Sequence, residues 1–320
     1  MAVSTFNQVQ LITIDENNIN QRVDNFLVSR LKGVPKSRIY RIIRKGEVRV
    51  NKKRVKAEYK LKNNDEVRIP PIRTSDDIAT IDFSQFDRVK SLESHIIFEN
   101  TQFIVLNKPS GMAVHGGSGL SFGVIEALRS IRPKDKFLEL AHRLDRDTSG
   151  CLLIAKRRSY LKHFQQQLVE KTMNKEYLAI VSGLWPKGKQ AVNASLLKNR
   201  LKSGERFVKV DETGKKAKTI FECVEQYSKY SLVRAKPITG RTHQIRVHAQ
   251  HHGFPLLGDD KYSDLLADIQ IMDKLKIKTF LLHSTKLCFT APESDKVMSF
   301  EAPIPDKMQQ VIDYLQSSSS

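Results

Sequence analysis

Between residues 21 and 70 the chain carries 16 Lys and Arg against 5 Asp and Glu, a net +11 within fifty residues. The whole chain of 320 residues reaches only +19. More than half of the excess charge therefore lies in less than a sixth of the length. Charge gathered this tightly predicts a small basic domain set apart from a larger, more evenly balanced one, and the length suits two domains. A basic domain of this kind reads polyanions, nucleic acid above all.

The pattern inside that segment is compact. Val23, Phe26, Leu27 and Leu31 recur at helical spacing. Pro35 opens a second helix that Gly46 ends, with Ile39, Ile42 and Ile43 as its apolar face. Arg38, Arg41 and Arg44 fall on one stripe of that helix. Val48, Val50, Val67 and Ile69 read as short strands, with a turn at Asn63-Asn64-Asp65. A basic stripe is often only a solvated face. The surrounding excess of charge favours phosphate contact, by these three Arg together with Lys45, Lys52, Lys53 and Arg54.

The domain plan is an N-terminal extension (1–20), the basic domain (21–70), a linker (71–92), a second domain (93–316) and a short frayed tail (317–320). In the second domain apolar runs at 103–107, 151–156, 176–181, 219–224 and 231–236 read as strands. Residues 120–131, 158–171, 242–252 and 304–315 read as helices. The stretch 192–210 is strand-like but rich in Lys.

Several functions are excluded at this level. No stretch approaches the ~18 apolar residues of a membrane span. Met1 to Asn18 has the make-up of neither a secretory signal nor an Arg-rich transit peptide. Cys151, Cys223 and Cys288 lie far apart, each in an apolar run, so buried free thiols in a reducing compartment, the cytoplasm, are expected. Gly214-Lys215 lacks the upstream Gly of a phosphate loop, since position 209 is Lys. Gly117 and Gly119 are not followed by Gly at 122. HAQHH (248–252) has Ala249 where a metalloprotease has Glu. Neither a nucleotide cofactor nor a metal is therefore expected.

Two polar knots remain. AHRLDRDTSG (141–150) packs His142, Arg143, Asp145, Arg146 and Asp147 ahead of an apolar strand. KPITGRTHQIRVHAQ (236–250) breaks a strand at Thr239-Gly240 and opens a helix beside Arg241, a setting suited to anions.

Taken with their neighbours, these segments resemble known families. Residues 22–71 resemble an S4 domain, a small RNA-binding module, which implies RNA in place of DNA. HRLDRDTSG, NKEYLAIVSG (174–183) and GRTHQIRVH (240–248) resemble, in order, the three motifs of RluA-type pseudouridine synthases. NKPSGMAVHGG (107–117), LLHSTKLCFTAP (281–292) and FEAP (300–303) extend the match. The resemblance implies an α+β protein: an S4 domain followed by a catalytic domain built on a mixed, largely antiparallel sheet flanked by helices. It implies isomerisation of uridine to pseudouridine in large-subunit ribosomal RNA, without cofactor, DNA or membrane, by a monomer.

The same resemblance assigns roles. Asp145 is the catalytic carboxylate, Tyr177 packs on the target base, and Arg246 pairs with Asp145. Arg143 enters the RNA and helps hold the flipped base, and Ile245 supplies an apolar wall. The chemistry agrees. The bond from ribose C1′ to uracil N1 breaks, the base rotates, and C1′ joins C5, so nothing is oxidised and no group is added. A carboxylate can act as nucleophile at C1′, as nucleophile at C6, or as base at C2′. A neighbouring Arg favours its ionised form. A related enzyme acting on tRNA or other rRNA uridines and a non-catalytic RNA-binding or ribosome-assembly protein are the rival readings. The second has no need of the Asp145, Tyr177 and Arg246 set.

Overall fold

A computed structural model describes residues 8–31, 34–72, 91–116, 123–200, 206–292 and 296–318. The chain divides into two units, Met1–Asp82 and Phe83–Ser320.

The first unit contains β1 (Gln10–Thr13), α1 (Val23–Arg30), α2 (Lys36–Arg44), β2 (Arg49–Val50), β3 (Lys53–Arg54) and β4 (Glu66–Ile69). Its sheet runs β1-β4-β2-β3. The apolar positions of both helices form one buried core with Val48, Val50, Val67 and Ile69. Asp65 fixes the predicted turn by accepting from Asn51 Nδ2 (2.8 Å), Tyr59 OH (3.0 Å) and the Lys62 amide (2.9 Å). The described part of the expected extension, residues 8–20, contributes to this unit's sheet and core. β1 pairs antiparallel with β4, Gln10 opposite Ile69, and Ile14 is buried in the same core. A strand of four residues with half its side chains in solvent leaves little apolar pattern to read. At the other end Ile72 belongs to this core and Leu92 to the second unit's. Most of the expected linker, residues 73–90, lies outside the described residues.

The second unit is organised on a sheet in the order β10-β13-β14-β9-β15-β8-β6-β5, with β16 beside β15 and β7 beside β8. The strands are β5 (Ile96–Glu99), β6 (Phe103–Lys108), β7 (Glu139–Leu140), β8 (Ser149–Ala155), β9 (Asn174–Ser182), β10 (Lys189–Asn193), β13 (Lys218–Gln226), β14 (Tyr230–Pro237), β15 (Leu282–Thr290) and β16 (Val297–Glu301). β11 (Leu196–Arg200) and β12 (Arg206–Val210), from the Lys-rich stretch, form a separate hairpin. Every pairing in the large sheet is antiparallel except β15 with β8. The expected mixed, largely antiparallel sheet flanked by helices is thus present.

Both faces of its middle are buried. Ile104, Leu106, Leu152 and Ile154 point into one core with α3 (Val124–Ile131) and Trp185. Phe103, Val105, Cys151, Leu153 and Ala155 point into another with Tyr160 and Phe164 of α4 (Arg158–Glu170). This explains why β6 and β8 read as unbroken apolar runs: a strand covered on both sides has no polar face. α5 (Gln244–His251), α6 (Leu265–Leu275) and α7 (Asp306–Ser317) complete the unit. α7 packs Met308, Val311, Ile312 and Leu315 against Ile180 and Leu257. It runs on to Ser317, the first residue of the expected tail. Of the cysteines only Cys151 is buried; Cys223 and Cys288 are half-buried, because they face the partly open sides of β13 and β15.

Candidate active site

A cleft of about 760 Å³ in the second unit is lined by His142 to Asp145, Tyr177, the 237–243 turn and the start of α5. The polar knots and the NKEY segment, which are scattered in sequence, supply its walls.

The Asp145 loop is held from below by three devices. Lys108, fully buried at the end of β6, donates from Nζ to the carbonyls of Pro109, Met112 and Arg146, each at 2.8 Å. Burial pushes its ammonium down to about 7, against the pull of the nearby Asp147 and Asp145. His142 Nε2 accepts from the Leu153 amide at 3.1 Å, tying the loop to β8. Burial and the nearby Lys175 push His142 down to about 3, so this ring is neutral and serves as a peg. Gly150 has φ +102°, and a Cβ there would strike the Ser284 backbone of β15. A glycine ends this motif because two parallel strands meet at that point.

Tyr177 lies on β9, opposite Ser284 of β15. It is 7% exposed and faces the core that also holds Ile245. Burial, helped by the Asp145 charge, raises its phenol well above the ordinary value, so the hydroxyl keeps its proton.

Arg246 meets Asp145 as expected, but its main partner is another carboxylate. Its Nε and Nη2 each donate to Asp259 at 2.7 Å, a two-pronged bond to a carboxylate with no solvent exposure. Asp145 meets only Nη1, at 3.6 Å. The guanidinium also lies against the rings of Phe280 (4.1 Å) and Tyr262 (4.9 Å). A buried Arg requires a full partner, and the partly exposed Asp145 is not one. Asp259, Tyr262 and Phe280 escaped the sequence reading. The adjacent acids Asp259-Asp260 are the one trace of this partner.

The other expected residues fall as follows. Arg143 is exposed on the cleft wall, and Ile245 is buried in it with 6% exposure. Gln244 locks the 239–241 turn: its Oε1 accepts from Thr239 Oγ1 (2.6 Å) and the Arg241 amide (3.0 Å), while Nε2 donates to Lys218 O (3.0 Å). His248 faces Thr219 Oγ1 through Nδ1 (2.9 Å) and Ala194 O through Nε2 (3.0 Å). Both nitrogens are therefore engaged by protein groups and neither is left for a metal.

In the first unit, Lys45, Lys52 and Arg54 line a shallow hollow of about 750 Å³ with Arg49, Arg68 and the exposed Leu11. Arg49 and Arg68 were not singled out from sequence. Arg41 and Arg44 are exposed on α2, Arg38 is half-buried there, and Lys53 is exposed on β3.

The sequence model for RNA pseudouridylate synthases matches residues 102–251, and that for S4 domains matches residues 21–67. The chain is 52% identical over 312 residues to ribosomal large subunit pseudouridine synthase C of Pasteurella multocida, covering 98% of this chain and 95% of that protein. It is 51% identical over 311 residues to the protein of the same name in Escherichia coli K12, covering 97% and 98%. The fold resembles human RNA pseudouridylate synthase domain containing 4, with a TM-score of 0.61 at 24% identity over 73% of this chain and 97% of that one.

Proposed function

This chain belongs to the RNA pseudouridylate synthase family, and we propose that its cleft isomerises uridine to pseudouridine in large-subunit ribosomal RNA. One observation carries the residue assignment: Asp145, Tyr177 and Arg246, from three separate segments, line a single cleft.

Asp145 is the reacting carboxylate. Arg246, anchored on Asp259, presents its remaining nitrogen toward it and positions it without closing it off. Tyr177 offers the target base a flat ring backed by packed strands, and its retained proton can serve the base edge. Ile245 closes the apolar wall, and Arg143, exposed at the cleft, holds the extruded nucleotide. Extruding a base costs a few kcal/mol. Phosphate contacts from Arg38, Arg41, Arg44, Lys45, Lys52, Lys53 and Arg54 of the S4 domain offset that cost. A monomer acting in the cytoplasm, on RNA and not DNA, completes the proposal. What supports action on ribosomal RNA is the ribosomal large subunit in the relatives' name, together with the matching S4 domain.

The test is pseudouridine mapping in large-subunit rRNA from a deletion strain complemented with wild type or Asp145→Asn. Wild type restores modification and Asp145→Asn does not, although it folds and binds RNA. Modification by Asp145→Asn at the wild-type rate would overturn the assignment.

A further inference from the structure

Lys175 belongs to the same NKEY segment as Tyr177. It lines the cleft two positions before Tyr177. The adjacent Glu176 is taken by Lys236 (2.8 Å) and Arg234 (3.6 Å). The Lys175 ammonium has no hydrogen-bond or ion-pair partner among the described residues. Burial lowers its ammonium below the ordinary lysine value, with no acid offsetting that effect. A desolvated cation without a counter-ion is costly unless a ligand supplies the charge.

What faces it is suited to an anion. A Cβ at Gly240 would stand 3.8 Å from Lys175 Nζ, so the ammonium looks onto bare backbone. Around that point the amides of Gly240, Thr242 and His243 donate to no protein group among the described residues. The turn is already rigid, because Gln244 fastens Thr239 and Arg241 to β13. The cleft is lined by Arg143, Lys171, Lys175 and Arg241 in addition to Arg246, against the single carboxylate of Asp145.

We propose that Lys175 and the 240–243 turn form a phosphate subsite, which grips a backbone phosphate beside the target uridine while Asp145 addresses its sugar or base. The inference rests on the reading of this cleft as the uridine site. The ligand is a phosphodiester oxygen, held by an ammonium and by preorganised amides. The phosphate 5′ or 3′ of the uridine has the same chemistry, and the experiment distinguishes the two.

The test uses large-subunit rRNA fragments, each assayed unmodified and with a neutral methylphosphonate 5′ or 3′ of the target uridine. One of the two raises wild-type KM by roughly 10- to 100-fold, the loss typical of a charge-assisted hydrogen bond. Lys175→Gln raises KM on unmodified RNA by a similar factor, with a smaller effect on kcat, and adds nothing on the phosphonate that weakens wild type. Lys175→Arg restores most of the affinity. The salt slope of log K falls by up to ~0.7 in Lys175→Gln. Wild-type indifference to both phosphonates overturns the proposal, even where a Lys175 variant fails to fold. So do losses that multiply at both positions, since they would mean that Lys175 acts elsewhere. If wild type forms no pseudouridine in unmodified RNA, the functional reading has failed instead.

Discussion

Arg246 and Asp259 form a buried two-pronged ion pair, both bonds 2.7 Å long, in front of which Asp145 stands 3.6 Å from the one remaining guanidinium nitrogen. The division is economical in geometry. A single cation is fixed by one carboxylate shut away from solvent and stands beside another that is open to the cleft. Phe280 and Tyr262 hold the plane of the guanidinium from its faces.

Asp259→Asn is therefore expected to reduce pseudouridine formation strongly although residue 259 is itself shut away from solvent. The amide keeps a hydrogen bond but leaves Arg246 buried without its counter-charge, and breaking such a pair costs about 3–5 kcal/mol of stability. Denaturant unfolding and single-turnover kinetics check both. An unchanged rate and midpoint would show that Asp259 does not position Arg246.

Lys108→Met should slow catalysis by moving the Asp145 loop, since three carbonyls lose their donor and one of them is the carbonyl of Arg146. The substitution also carries a pH signature. Folded Lys108 titrates near 7, while the unfolded chain holds that proton to about 10.4. The unfolded state binds more protons between those values, so stability from this group rises with pH across the window and is flat below it. Wild type minus Lys108→Met, compared by urea unfolding from pH 6 to 9, should show that rise. A difference independent of pH would refute it.

Gly150→Ala should destabilise the second unit by about 1–3 kcal/mol, because the position has φ +102° and the added Cβ meets the Ser284 backbone. Thermal unfolding measures the loss. A melting point equal to wild type would mean that β8 and β15 part there without cost.

Replacing Arg38, Arg41 and Arg44 together by Gln should weaken binding to long rRNA and reduce the salt slope of log K by up to ~0.9 for each lost phosphate contact. Turnover on a short hairpin should survive in part, since the cleft lies in the other unit. Binding titrations over a salt series decide it. An unchanged slope would make this stripe a solvated face.

The sequence by itself determined the elements whose patterns are local. The basic domain was legible because its charge is crowded and its two helices each carry an apolar face at 3.6-residue spacing. The runs that became β6, β8 and β9 were legible because strands buried on both faces are apolar at successive positions. Asp145, Tyr177 and Arg246 were legible through resemblance, as short motifs whose order survives in the chain. Only tertiary structure decided what depends on partners distant in sequence. β1 is a strand because β4 pairs with it, 59 residues away by the register of Gln10 with Ile69. Arg246 turns to Asp259 and not mainly to Asp145 because burial selects the carboxylate that can be fully enclosed. Lys108 holds the Arg146 carbonyl 38 residues downstream because β6 and β8 run side by side. None of these choices leaves a periodic mark on the chain, since each is settled by which groups the packed sheet brings together and which it shields from water.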